Sequence, residues 1–91
     1  MDRRVVVTGL GAITPIGNTV EETWQAMKTG KNGIDKITLF DTTGFKATLA
    51  AEVKNFEVSK YLDVNETLRT DRYVQFAVAA ADMAVKESGI E

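Results

Sequence analysis

The run Arg4-Val5-Val6-Val7-Thr8 constrains this chain most. β-Branched side chains are stiff about χ1 and suit a pleated strand better than a helix. Because the valines do not alternate with polar residues, such a strand needs apolar cover on both faces, as in a parallel sheet between helix layers. An α/β architecture is therefore expected, with other elements lying above and below this first strand.

Gly9, Gly11, Pro15 and Gly17 then punctuate a loop, and Asn18 and Thr19 lead into a helix. Thr19-Val20-Glu21-Glu22 fits a capping box, in which the Thr19 hydroxyl accepts from the Glu22 amide while the Glu22 carboxylate reaches back. Glu21 and Glu22 complement the positive end of the helix dipole, Lys28 the negative end, and Gly30 can close the helix. The expected span is Val20 to Thr29. Val20, Trp24 and Met27 share one face, which makes Trp24 a core anchor, stabilising by roughly 2–3 kcal/mol if fully buried.

After a turn around Lys31-Asn32-Gly33, Phe45 to Val53 alternates, with Phe45, Ala47, Leu49, Ala51 and Val53 on one side and Lys46, Thr48 and Glu52 on the other. This predicts a half-exposed strand or hairpin arm. Residues 55–68 lack a clear period and read as loop with one helical turn. From Asp71 to Ser88 the polar positions Arg72, Gln75, Asp82 and Lys86 form a narrow stripe on an otherwise apolar helix, which Gly89 can stop. Ala77 and Ala79 to Ala81 would let neighbouring backbones come close. The order strand, helix, strand, helix is α/β, but a doubly covered strand and a nearly all-round apolar helix need more partner surface than 91 residues supply. The chain is expected to be a fragment of a larger domain, with no internal domain boundary over 1–91.

With 11 basic and 13 acidic residues scattered along the chain, nothing resembles the clustered Lys and Arg of a nucleic-acid or anionic-membrane binder. The apolar run after Met1-Asp2-Arg3-Arg4 is too short for a signal peptide, and no stretch is long enough to span a bilayer, so a cytoplasmic location is expected. The sequence contains no cysteine and no histidine. Disulfides, thiolate or imidazole metal sites, Cys nucleophiles and His general bases are therefore excluded within these residues. No catalytic residue, metal ligand or cofactor site is assigned.

Gly9-Leu10-Gly11 after a valine-rich strand invites comparison with a dinucleotide-binding turn, but Thr14 stands where that fingerprint wants Gly or Ala, and the helix starts too late. A structural turn is favoured. The carboxylates Asp35, Asp41, Glu52, Glu57, Asp63, Glu66, Asp71 and Asp82 form no acid/base motif. Arg69 and Arg72, three apart, would share a face if the last helix began early, and could then hold a phosphate or carboxylate; an internal pair with Asp71, or simple solvation, is the plainer alternative.

Taken in order, Arg3-Arg4-Val5-Val6-Val7-Thr8-Gly9-Leu10-Gly11, Thr14-Pro15-Ile16-Gly17, Trp24 to Gly30, Gly33-Ile34, Phe40-Asp41, Ala51-Glu52-Val53, Asp71-Arg72-Tyr73 and Gln75-Phe76-Ala77 resemble the opening of the elongating β-ketoacyl-carrier-protein synthases, nearest to their synthase II branch. The resemblance implies the N-terminal part of a thiolase-like fold with a duplicated βαβαβ five-layer core, incomplete in this chain. Of that core the segment would supply the first strand, its following helix and the start of a cap-like region. The implied reaction is a decarboxylating condensation. An acyl group rides on an active-site cysteine, malonyl carrier protein loses carbon dioxide, and the resulting carbanion attacks the thioester. The family uses one Cys and two His for this, all beyond residue 91, so the isolated chain is expected to be inactive. The implied partners are acyl- and malonyl-loaded acyl carrier protein and a second copy in a homodimer. The family's basic docking residues precede the Asp-Arg-aromatic landmark; here that stretch is Asn65-Glu66-Thr67-Leu68-Arg69, so Arg69 keeps the basic character, with Arg72 beside it as a second carrier-protein contact.

Two alternatives remain open on the sequence. One is a freestanding α/β module that binds a phosphate-bearing ligand at the Gly9 to Gly17 loop. The other is a condensing domain of polyketide type.

Overall fold

The computed structural model describes residues 2–90. Its elements run α1 (Val20–Thr29), β1 (Ile34–Lys36), β2 (Leu49–Ala51), a 3-10 turn (Val58–Lys60), α2 (Val64–Arg69) and α3 (Arg72–Ser88). They fall into two compact units, one formed by residues through Ala12 with Glu57 onward, the other by Ile13–Phe56.

In the Ile13–Phe56 unit, α1 has the expected bounds and caps. Thr19 Oγ1 accepts from the Glu22 amide at 3.0 Å, and Gly30 closes the helix in the left-handed region at φ 75°. The Glu22 carboxylate reaches one residue further back than the capping box requires, accepting from the Asn18 amide at 3.0 Å. Helix burial differs from the expectation. Ala26 is the buried residue of α1, whereas Trp24 is 52% exposed with the Lys28 ammonium 5.5 Å from its ring centroid. Trp24 is therefore no core anchor here, since Trp24 and Met27 each leave more than half of their surface open.

β1 and β2 pair antiparallel, with Ile34 opposite Ala51 and Lys36 opposite Leu49. The strand expected over 45–53 shrinks to Leu49–Ala51, and Ala50 rather than Leu49 or Ala51 is its partly covered residue. The alternating segment is strand only at its centre, and Phe45 and Leu49 are both exposed. Phe45 instead packs edge-on against Phe40, ring centroids 5.9 Å apart, within the loop that joins the strands. A clasp holds the base of this hairpin. Lys54 Nζ donates to the carbonyls of Gly33 (3.1 Å) and Glu52 (2.8 Å), with a longer approach to that of Pro15 (3.4 Å). Asn18 Nδ2 donates to the Lys54 and Asn55 carbonyls at 2.9 and 3.1 Å, and Asn55 takes φ 58°, a conformation Asn tolerates better than most residues.

In the other unit, no strand forms at Arg4–Thr8, and Val5 is 92% exposed. A strand exists only as one side of a ladder, and among the described residues nothing pairs with this run. The close approach anticipated from the alanines is present, with the glycine loop as its other party. A Cβ built on Gly9 would overlap the Ala84 carbonyl oxygen of α3, and one on Gly11 the Ala80 carbonyl oxygen. Ala79 is fully buried.

α2 replaces the single helical turn expected within 55–68. Asp63 caps it, accepting from the Glu66 amide at 2.8 Å. α3 begins at Arg72 rather than Asp71, which serves as N-cap residue, and stops at Gly89 with φ 74°. Gln75, assigned to the solvated stripe, is 6% exposed. Its Nε2 lies 3.3 Å from the Thr67 carbonyl, the Thr70 carbonyl and the Thr70 hydroxyl, so the amide staples the end of α2 to the start of α3. A polar side chain is buried at low cost when its donors are met, which is why the stripe is interrupted here.

Candidate functional site

The glycine loop is occupied by the protein itself. Gly9 and Gly11 are pressed on the main chain of α3. A Cβ on Gly17 would sit 2.6 Å from the Thr23 nitrogen and 2.8 Å from Glu22 Cβ. Thr14 and Gly17 exchange backbone hydrogen bonds of 2.8 and 3.3 Å around Pro15-Ile16, and the Thr14 hydroxyl lies 3.0 Å from that of Thr23. At the start of α1 the Glu22 amide is met by the Thr19 hydroxyl and the Asn18 amide by the Glu22 carboxylate, and Glu21 and Glu22 bring negative charge to where a phosphate would come. These glycines let backbone meet backbone, the structural-turn reading.

Arg69 and Arg72 do not share a helix face, because Thr70 and Asp71 separate α2 from α3. Arg69 is the exposed last residue of α2. Arg72 opens α3, also exposed, with its guanidinium 4.8 Å from the Phe76 ring centroid, a cation–π distance. Asp71 accepts at its main-chain carbonyl from the Val74 and Gln75 amides, both 3.1 Å. The two arginines thus stand on either side of the α2–α3 joint that Gln75 holds.

The carboxylates whose protonation is perturbed serve the hairpin. Glu52 accepts from the Thr38 hydroxyl at 2.7 Å and its amide at 3.2 Å, which holds its carboxyl below the usual range, chiefly through the hydroxyl. Asp41 is lowered by the Thr43 amide and then its hydroxyl, at 2.9 and 2.7 Å. Neither faces a second carboxylate in a paired arrangement suited to proton transfer. Among the described residues no group of three acidic side chains could hold a metal ion. Among the described residues no helix is long and apolar enough to cross a membrane.

Two features of this region escaped the sequence reading. Asp63-Val64-Asn65-Glu66 carries the same cap spacing as Thr19 to Glu22 and could have announced α2. Gln75 had no such signal, because the acceptors that bury it come from a separate element.

In this α/β segment Gly9 and Gly11 pack on the main chain of the alanine-rich helix α3. The β-ketoacyl synthase N-terminal domain matches residues 2–91, and the chain belongs to that family. It is 47% identical over 90 residues to a 3-oxoacyl-[acyl-carrier-protein] synthase 2 of Staphylococcus aureus (strain COL), covering 99% of this chain and 22% of that protein. The protein of the same name from Coxiella burnetii is 46% identical over 89 residues, covering 98% and 22%. Among solved structures, the ishigamide ketosynthase/chain length factor superposes with a TM-score of 0.84 at 41% identity, over 98% of this chain and 22% of that one. The chain thus spans about a fifth of the length of these relatives.

Proposed function

We propose that this chain is the N-terminal part of a 3-oxoacyl-[acyl-carrier-protein] synthase II, an acyltransferase of fatty acid elongation. The observation that carries the reading is the match of residues 2–91 to the family, at near 47% identity to proteins of that name. In this reading residues 1–91 are part of a single thiolase-like domain with a five-layer core and contain no boundary between domains. The exposed apolar side chains of Val5, Val6, Val7, Trp24, Met27, Tyr73 and Val85 support it, since isolated soluble domains seldom leave such surface uncovered.

The complete enzyme takes acyl- and malonyl-loaded carrier protein, works as a cytoplasmic homodimer and uses no cofactor. Its reaction breaks the malonyl carboxylate bond to release carbon dioxide, and the carbanion so formed displaces the enzyme thiolate from the acyl group. The nucleophilic Cys and the two His lie outside this chain, which is inactive by itself. Arg69 and Arg72 flank the surface that meets the acidic carrier protein. The sequencing test is direct: the reading frame past Glu91 should supply one Cys and two His within several hundred residues, and a natural stop there would end the enzyme reading. In the full-length enzyme, Arg69→Glu should weaken carrier-protein affinity at low salt by a margin that shrinks as salt rises. Unchanged affinity at low salt would remove Arg69 from the docking surface.

A second reading, a condensing domain of polyketide type, draws on the likeness to the ketosynthase/chain length factor structure. Carrier or reductase domains on the same polypeptide would favour it.

A further inference from the structure

Asn32 is the sequence's one asparagine followed by glycine. It is exposed, in the turn between Gly30 and β1, and its Oδ1 accepts from the Ile34 amide at 3.0 Å. That hydrogen bond folds the side chain forward along the Gly33 peptide and draws electron density from Cγ. An N–H aimed at a carbonyl oxygen also stabilises the negative charge that collects there when a nucleophile adds to the carbon. Gly33 carries no side chain to shield its nitrogen, and none can be placed there. A Cβ would lie 2.8 Å from Ile16 Cγ2 and 2.9 Å from Pro15 Cβ. The Lys54 ammonium, bonded to the Gly33 carbonyl at 3.1 Å, polarises the Gly33–Ile34 peptide, whose N–H is the donor to Asn32 Oδ1.

None of the other asparagines precedes a glycine. Asn18 precedes Thr, and its amide is tied to two carbonyls; Asn55 precedes Phe, and Asn65 precedes Glu.

We propose that Asn32–Gly33 is a site of spontaneous covalent modification, at which Asn32 loses its side-chain amide through a cyclic imide formed with its own main chain. Solvent base takes the Gly33 amide proton, and the nitrogen attacks Asn32 Cγ. The new N–Cγ bond forms, the Cγ–Nδ2 bond breaks, and Nδ2 leaves as ammonia after gaining a proton. Water then adds to one imide carbonyl or the other, opening the ring to aspartate or isoaspartate at position 32. Nothing is oxidised or reduced.

The two products differ in consequence. Aspartate keeps an acceptor for the Ile34 amide. Isoaspartate lengthens the main chain by one carbon and carries that acceptor away. The amides of Ile34 and Lys36 are held by the Asn32 and Asp35 side chains, the latter at 2.7 Å. Release of the Ile34 donor would open part of the β1 edge, the kind of unpaired edge that recruits other strands.

The test is peptide mapping of the full-length protein after incubation in mildly alkaline buffer, beside the same protein unfolded in denaturant. Trypsin frees the peptide Asn32–Lys36. The expected result is a native-state gain of one mass unit confined to that peptide, with isoaspartate confirmed by enzymatic methylation, and no gain in the Asn32→Gln variant. Retention of the amide at Asn32 in the folded protein, whether or not the unfolded chain converts, would overturn the proposal, as would equal conversion at Asn65.

Discussion

Gly11 offers the sharpest test of how the glycine loop meets α3. At an ordinary site, replacing Gly by Ala stabilises a protein by about 0.4–1 kcal/mol, because the unfolded chain loses conformational freedom. Here the added Cβ would overlap the Ala80 carbonyl oxygen, with the Ala80 carbonyl carbon at 2.7 Å and its Cα at 3.0 Å. All three are main-chain atoms inside a helix, so no rotamer change relieves the overlap; either α3 or the loop must move. Overpacking of this kind costs about 1–3 kcal/mol, which reverses the sign expected from chain entropy alone. Gly11→Ala should therefore destabilise the full-length protein by about 2 kcal/mol, read as a lower denaturant midpoint at unchanged slope. Shortening Ala80 to Gly should not rescue it, because the obstacle is backbone. Gly30→Ala is the control: nothing lies within 4 Å of its Cβ, and its φ of 75° alone should cost about 1 kcal/mol. A Gly11→Ala protein as stable as the parent would refute the close approach.

Three further outcomes follow from the geometry. Thr19→Ala removes the hydroxyl that accepts from the Glu22 amide and should cost about 1 kcal/mol, with faster hydrogen exchange in the first turn of α1. Gln75→Leu strips the α2–α3 joint of its donor and should cost about 1–3 kcal/mol by chemical denaturation, while Gln75→Glu should be worse at neutral pH than at acidic pH, since only a protonated carboxyl can donate to the Thr67 and Thr70 carbonyls. Glu52 titrates below its ordinary value when folded, so its link to Thr38 contributes fully above the unfolded value of 4.5 and is lost as pH falls through the lower folded one; the Thr38 amide resonance should follow that titration and be pH-silent in Glu52→Gln.

What the sequence made legible was local. α1 was readable to the residue because its start and stop signals lie within the helix and its caps, Thr19 and Glu22 at one end and Gly30 at the other. Gly89 likewise ended α3, and the alanine run correctly implied a close backbone neighbour. Expectations that needed a partner from elsewhere fared differently. The valine run has strand chemistry but no ladder among the described residues, and Trp24 has core chemistry but no cover. Gln75 shows the converse, a polar residue buried because Thr67 and Thr70 meet its donors. For the site, Arg69 and Arg72 would share a face only if the last helix began early, and the Thr70–Asp71 break between the helices separates them. The absence of Cys and His was the strongest functional statement in the sequence, and no fold of these residues alters it.

The most direct measurement of the central claim is condensation by the full-length protein supplied with an acyl-carrier protein and malonyl-carrier protein, followed by intact mass of the carrier-bound product. The account predicts a β-ketoacyl product two carbons longer than the acyl donor, with release of one carbon dioxide per turn. A protein that is folded and binds carrier protein, yet neither accepts the acyl group nor extends it, would contradict it.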